Sequence, residues 1–163
     1  MKRIKLEGNL INLRLVEKID AEFIINLRTN KELSTFISLT NINIEEQIQW
    51  IKDYKIREKN NEEFYFIVEK KNGISCGTVR IYNINYDTKE TTWGSFILDK
   101  IRPEGTANEV IELSLKFILE SLKLEKVYLE VRKENYKAIH IYEKNNFIRM
   151  KEDKKSYYYL KKL

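Results

Sequence analysis

Residues 99–110, Asp-Lys-Ile-Arg-Pro-Glu-Gly-Thr-Ala-Asn-Glu-Val, place a glycine-bearing turn between a predicted strand and a long helix with an apolar stripe. A chain passes that abruptly from strand to helix when one residue takes a left-handed backbone angle, and Gly105 does so without a Cβ penalty. The N–H groups of Thr106, Ala107 and Asn108 then precede the first intrahelical bonds and point out of the helix start, where the dipole favours an anion. Arg102 stands just before them as a mobile counter-charge. Such a turn can hold a phosphate, and it can equally cap a helix that binds nothing; on this segment alone both readings stay open.

The rest of the composition narrows the class. A chain of 163 residues with 42% apolar content supports one folded domain with a real core. The lone Cys76 excludes an internal disulfide, and neither a signal peptide nor an apolar run of about 20 residues is present, so the expected compartment is the cytoplasm, with no membrane partner. The net charge of +5 suits a polyanionic small molecule. Nucleic acid is not expected as a partner, because Lys and Glu interleave along the chain as on a solvated surface and no zinc-finger, paired-helix or aromatic RNA-binding signature accompanies the charge. No metal is expected.

Periodicity predicts a mixed α/β order, β-α-α-β-β-β-α-β-α-β-β. Ile11, Leu13 and Leu15 alternate as a strand, Asp20 precedes a helix through about Leu27, and residues 28–32 read as a polar loop. A second helix runs from Ile44 to Ile56 behind an Asn43 cap. Residues 63–69 and 74–82 form a hairpin across the turn at 70–73, and residues 91–98 supply a further strand. A helix over 107–122, a strand over 127–131 and a helix over 135–144 follow, and strands at 147–150 and 157–160 close the sheet as a last hairpin. Three consecutive tyrosines, Tyr157 to Tyr159, fit packing in that final strand better than base stacking. The expected architecture is a single-domain α/β fold, a strongly twisted mixed sheet of about seven strands flanked by helices.

Arg102-Pro-Glu-Gly-Thr-Ala107 at a helix start, then Leu129-Glu-Val131, Asn135-Tyr-Lys-Ala-Ile139 and Tyr142-Glu-Lys-Asn-Asn-Phe147, in that order and spacing, resemble the GNAT acyltransferase superfamily from about residue 5 to the C-terminus. Leu27-Arg-Thr-Asn30, Glu32, Thr40, Gln47, Trp50, Trp93-Gly94 and Gly105-Thr106 are most similar to the branch that acetylates nucleotide-linked deoxyamino sugars, with ribosomal-protein N-terminal acetyltransferases as near relatives. The resemblance implies splayed central strands and acetyl-coenzyme A as cofactor. Its pyrophosphate would be wrapped by Arg102, Glu104, Gly105, Thr106, Ala107 and Asn108, with Asn135 and Ala138 also at the cofactor. Tyr142 would lie beside the thioester sulfur. Backbone N–H groups of Phe96, Ile97 and Leu98, facing residues 129–131 across a V-shaped gap, would meet the acyl carbonyl and pantetheine arm. A glycine usual before the final Phe is Asn146 here, a residue that still reaches left-handed angles at some cost.

Acetyl transfer to an amine needs a polarised carbonyl, a neutral amine and a proton for the departing thiolate. Tyr142 can supply that proton from a dry site. Glu130, facing opposite to Leu129 and Val131, accepts the amine proton through water, or holds the amine, or pairs with a basic residue across the sheet; Glu90 is an outside candidate. His140, the one histidine, falls on a different helix face from Tyr142, and Cys76 has no histidine partner, so direct attack by the amine is expected. For the acceptor, Arg28 and Asn30 offer polar contacts, Arg28 to phosphate, while Trp50 and Trp93 offer apolar walls to a deoxysugar methyl or a base. The expected acceptor is the 4-amino group of a nucleotide-linked deoxyamino sugar, with uridine preferred to thymidine, and the chief alternative is a peptide or ribosomal-protein N-terminus; a homodimer is left open. A nucleic-acid-binding module or a coenzyme A-binding sensor without turnover are readings from other classes.

Overall fold

The computed structural model describes residues 4–30 and 43–163. Strands β1 (Lys5–Glu7), β2 (Ile11–Leu15), β3 (Phe64–Lys70), β4 (Ser75–Asn85), β5 (Glu90–Leu98), β6 (Lys126–Arg132), β7 (Ile148–Glu152) and β8 (Ser156–Lys162) form one sheet. Their order is β1-β2-β3-β4-β5-β6-β8-β7, and every neighbouring pair is antiparallel except β5 with β6. The eighth strand relative to the expectation is β1. Its three residues are too few to show alternation, and pairing of Leu6 with Leu13 of β2 defines it.

Among the described residues, four α-helices cover the two faces: α1 (Ala21–Thr29) and α2 (Ile44–Lys59) on one, α3 (Thr106–Lys116) and α4 (Tyr136–Lys144) on the other. The strand β3 shows why both faces close. Phe64, Phe66 and Val68 join the core that includes Val110, Ile111 and Tyr142, while Tyr65 and Ile67 join Ala21, Ile24, Ile51 and Tyr54. A strand buried on both sides reads as an unbroken apolar run, as residues 64–68 do. The helix expected through 122 ends its α-helical course at Lys116 and widens into a π-turn over Phe117–Ser121. That turn seats Phe117 edge-on against Phe64 and Phe66, with centroids 5.2 and 5.6 Å away.

Local chemistry sets the helix ends. The Asn43 side chain accepts the Glu46 N–H at 2.8 Å, the cap that the sequence pointed to. Arg28 and Thr29, expected in a loop, form the last turn of α1, where the Thr29 hydroxyl donates back to the Ile25 carbonyl at 2.8 Å. At the start of α1, Arg14 of β2 holds buried Asp20 with two guanidinium nitrogens, at 2.8 and 2.9 Å, and Glu69 with the third, at 2.8 Å. This fork ties the helix that borders the acceptor side to the sheet.

A second tie has no counterpart in the sequence reading. The Glu109 carboxylate, in the first turn of α3, accepts the N–H groups of Asn9, Leu10 and Ile11 at 2.7, 2.8 and 2.9 Å. The turn between β1 and β2 is thereby fastened against the start of α3, and a Cβ on Gly8 would stand 2.6 Å from the Glu109 Cδ. Replacing Glu109 by Ala leaves three N–H groups without their charged acceptor. An unfolding free energy lower by about 3 kcal/mol is the expected outcome in urea denaturation, with Glu109→Gln losing roughly half as much.

Candidate active site

The central strands part within the sheet. β5 and β6 pair only at Glu90↔Lys126, Thr91↔Val127 and Thr92↔Tyr128, whereas β6 stays paired with β8 from Lys126 to Arg132. From Trp93 onward, the edge of β5 that faces β6 therefore has no strand against it among the described residues. Between them lies a cleft of about 110 Å³, walled by residues 93–96 of β5, residues 129–132 of β6, and Asn135 and Tyr142 of α4 and its cap.

A bulge opens the gap. Along β4 and β5, Thr78 faces Ile97 and Arg80 faces Gly94, so one residue of β4 opposes Ser95 and Phe96 together. Ser95 absorbs the extra residue with φ of 48°, in the left-handed region, and its carbonyl accepts the Thr78 hydroxyl at 3.0 Å. Gly77 permits the close approach of the strands beside it, since a Cβ there would lie 2.5 Å from the Ile97 carbonyl oxygen.

Tyr142 projects from α4 into this gap and is 7% exposed. Trp93 stands edge-on to it with centroids 5.7 Å apart, and Phe147 closes the other side at 6.1 Å. Burial alone pushes the phenol well above its ordinary value near 10, so the group is held neutral. The Asn135 side chain caps α4 by accepting the Ala138 N–H at 3.3 Å, which leaves its amide N–H₂ for the cleft. Phe96 also lines the cleft, Ile97 is buried, and Ala138 packs partly buried at the core edge.

The turn before α3 has the left-handed residue expected of it: φ of Gly105 is 88°. Among the three N–H groups expected to point outward, one is redirected. Thr106 donates its N–H to the Pro103 carbonyl at 3.3 Å and its hydroxyl to the same oxygen at 2.6 Å, because the tight turn brings that carbonyl under the helix start. The first helical bond runs from Glu109 N–H to Gly105 O, so the N–H groups of Ala107 and Asn108 lie before any intrahelical acceptor. The Asn108 side-chain oxygen is taken by the Asn145 amide at 3.0 Å. Arg102 is exposed and folds back to donate to the Asp99 carbonyl at 2.7 Å, and Glu104 is exposed on the same turn.

The opposite face of the cleft is the side of α1 and α2. Thr78, Arg80 and Tyr82 of β4, Gly94 of β5 and Glu130 of β6 share it, through the registers Arg80↔Gly94 and Tyr82↔Thr92. Arg80 donates two hydrogen bonds of 3.0 Å to buried Glu63 and lies over the rings of Tyr82, 4.3 Å away, and Trp50, 5.4 Å away. Arg57 of α2 reaches the same Glu63 at 3.2 Å and also covers Trp50. Trp50 itself stacks on Tyr54, with centroids 5.8 Å apart. Arg28 acts on the Tyr65 hydroxyl from above this face. Glu130 is exposed and is paired across the sheet with Tyr158, whose hydroxyl ionisation is pushed up first by Asp153 and then by Glu130.

Three expectations change. Trp93 sits on the α3 and α4 side of the sheet, in register with Ile81, so it walls the side of the cleft that Tyr142 occupies and not the side of α1 and α2. Glu130 has a tyrosine, not a basic residue, across from it. Glu90 lies at the closed end, where β5 and β6 are still paired, away from the gap. His140 is exposed and Cys76 buried, neither lining the cleft. Asn30 follows the end of α1, whereas Glu32 and Thr40 lie outside the described residues. Sequence reasoning missed Arg132, Ser95 and Arg80. Period-two alternation from Glu130 could have found Arg132; no local pattern marks the bulge at Ser95.

The cleft fits an acyl-coenzyme A. Among the described residues, two buried side-chain nitrogens lack a hydrogen-bond partner, Trp93 Nε1 and Arg132 Nε, the latter 3.7 Å from the Glu134 carboxylate, and both belong to residues that line it. The unpartnered indole N–H on its wall, an open strand edge for amide pairing and N–H groups at the start of α3 suit a ligand rich in carbonyl and phosphate oxygens. Among the described residues, no group of three or more His, Cys, Asp or Glu could hold a metal, and no helix is long and apolar enough to cross a membrane.

Comparison with known proteins agrees with this geometry. The model of the acetyltransferase (GNAT) domain matches residues 11–148. The solved structure of apo FdhC, described as a nucleotide-linked sugar GNAT, superposes with a TM-score of 0.90 at 36% identity, covering 99% of this chain and 91% of that one. Spermidine N(1)-acetyltransferase of Vibrio cholerae is 28% identical over 138 residues, 85% of this chain and 79% of its own length. Acetyltransferase PseH of Campylobacter jejuni is 24% identical over 149 residues, 91% of this chain and 90% of its own. With the splayed strands, the bulge and the left-handed turn in place, the chain belongs to the GNAT family and is an acetyl-CoA-dependent acetyltransferase.

Proposed function

We propose that the protein acetylates the primary amine of a nucleotide-linked deoxyamino sugar, preferably the 4-amino group of a UDP-linked one. The observation that carries this reading is the acceptor face, where Arg80 and Arg57 share the single buried carboxylate of Glu63 and Arg80 is stacked on Tyr82 beside the cleft. Two guanidinium groups on one carboxylate leave positive charge for an anion, and planar guanidinium forks suit phosphate. Such a floor opposes a polyamine. It supports the likeness to FdhC over that to the spermidine enzymes.

In this reading Ala107 and Asn108 N–H groups hold the pyrophosphate of acetyl-CoA, with Gly105 keeping the turn open and Arg102, Glu104 and Thr106 shaping it. Asn135 donates to the pantetheine arm, and Ala138 packs against it. Backbone N–H groups of residues 96–98 meet the acyl carbonyl. Bound acetyl-CoA supplies the activated acetyl group as a thioester. Glu130 takes the amine proton through water and passes it to solvent, the amine nitrogen bonds to the acyl carbon as the carbon–sulfur bond breaks, and Tyr142 gives its phenolic proton to the departing sulfur and regains one from solvent when coenzyme A leaves, so that no residue of the chain is acylated. Arg28, Asn30, Arg80 and Trp50 orient the acceptor.

Arg80→Ala tests the acceptor assignment. KM for a UDP-linked amino sugar is expected to rise about 10- to 30-fold while KM for acetyl-CoA stays within twofold, since one charge-assisted phosphate contact is worth roughly 1.5–3 kcal/mol. Steady-state kinetics check this. An acceptor KM left unchanged in Arg80→Ala would count against an anion on this face.

A further inference from the structure

We propose that Thr78 is a positioning residue for acetyl transfer: its hydroxyl holds the β5 bulge in the form that presents the amides of residues 96–98 to the acyl carbonyl. The proposal rests on the placement of the carbonyl along β5 given above. Thr78 is 1% exposed, faces Ile97 across the strands and donates to the carbonyl of Ser95, the residue with φ of 48°. A non-glycine residue in the left-handed region persists only where its surroundings hold it, and the bulged carbonyl has lost its ladder partner.

The proton inventory gives the contact a direction. Thr78 carries one hydroxyl proton, and a carbonyl can only accept, so that proton points to Ser95. The contact that fixes the bulge therefore runs one way, from the buried hydroxyl of β4 to the displaced carbonyl of β5.

Thr78 is assigned to no ligand and does not line the cleft. Thr78 therefore acts through the backbone, and its loss is expected to change the chemistry more than the binding. Valine is the matched probe, because it keeps the branched shape and removes the hydroxyl.

The test uses the wild type, Thr78→Val and Thr78→Ser, each with carbonyl-labelled acetyl-CoA and no acceptor, followed by infrared spectroscopy of the bound thioester carbonyl and calorimetric titration. The wild type should shift the carbonyl stretch to lower frequency, Thr78→Val should lose most of that shift while binding acetyl-CoA within about threefold of wild type, and Thr78→Ser should restore it. With a competent acceptor, kcat of Thr78→Val should drop about tenfold at unchanged acetyl-CoA KM. A shift fully retained in Thr78→Val, or lost equally in Thr78→Ser, would overturn the role of the Thr78 hydroxyl. A wild type that binds acetyl-CoA with no shift would overturn the carbonyl placement itself. Because the spectroscopic arm contains no acceptor, a wrong choice of acceptor leaves its outcome intact.

Discussion

Tyr142→Phe is expected to lower kcat by about 100- to 1000-fold with little change in acetyl-CoA affinity, the range typical of a lost general acid. The ring of Phe keeps the contacts with Trp93 and Phe147, so packing survives and only the hydroxyl is lost. Burial raises the phenol above its usual value, which makes it a weaker acid in isolation. The departing thiolate stands in the same dry cleft, and the same desolvation raises its appetite for a proton. The sign with pH follows: Tyr142 stays protonated throughout the range below about 10, so no alkaline fall in rate below that value comes from it. The pH–rate profile of Tyr142→Phe should accordingly keep the wild-type shape at a lower height. Stopped-flow or steady-state kinetics across pH check both statements, and a variant within threefold of wild type would remove the acid role.

Gly105→Val is expected to weaken acetyl-CoA binding about 100-fold, with two charge-assisted N–H contacts to phosphate at stake and each worth roughly 1.5–3 kcal/mol. The backbone angle of 88° is one that a β-branched residue resists, and a Cβ would stand 3.3 Å from the Leu10 Cδ1 of the neighbouring turn. That turn cannot yield freely, because Glu109 fastens the N–H groups of Asn9, Leu10 and Ile11. The strain is therefore passed to residues 105–108. Arg102→Ala should be milder, since its side chain is exposed and bonded to the Asp99 carbonyl. Calorimetric titration of both folded variants checks the order, and wild-type affinity in Gly105→Val would defeat the phosphate-loop assignment.

The comparison of these two residues shows what sequence carries. Gly105 and Tyr142 were legible because each sits in a local pattern, a glycine between strand and helix or a tyrosine in a spaced motif, and the structure places one at φ of 88° and the other in the cleft wall. Elements with strong periodicity, such as β3, β5, α2 and α3, were legible for the same reason. What remained hidden depends on contacts distant in the chain. Glu109 meets residues about 100 positions away, Arg80 and Arg57 converge on Glu63 from a strand and a helix, and the bulge at Ser95 exists only relative to the register of β4. Trp93 was assigned to the wrong wall because the facing of β5 is set by pairing of Trp93 with Ile81, a choice between two faces that composition alone does not make.

The most direct measurement is the initial rate of acetyl transfer from acetyl-CoA to three amines under identical conditions: a UDP-linked 4-amino-deoxysugar, spermidine and a peptide with a free N-terminus. Thiol release and mass spectrometry of the acceptor would report each reaction. The expected result is one acetyl group on the sugar amine per coenzyme A released, with kcat/KM at least about tenfold above either alternative, as a matched charged acceptor face requires. Preferential acetylation of spermidine or of the peptide would contradict the account.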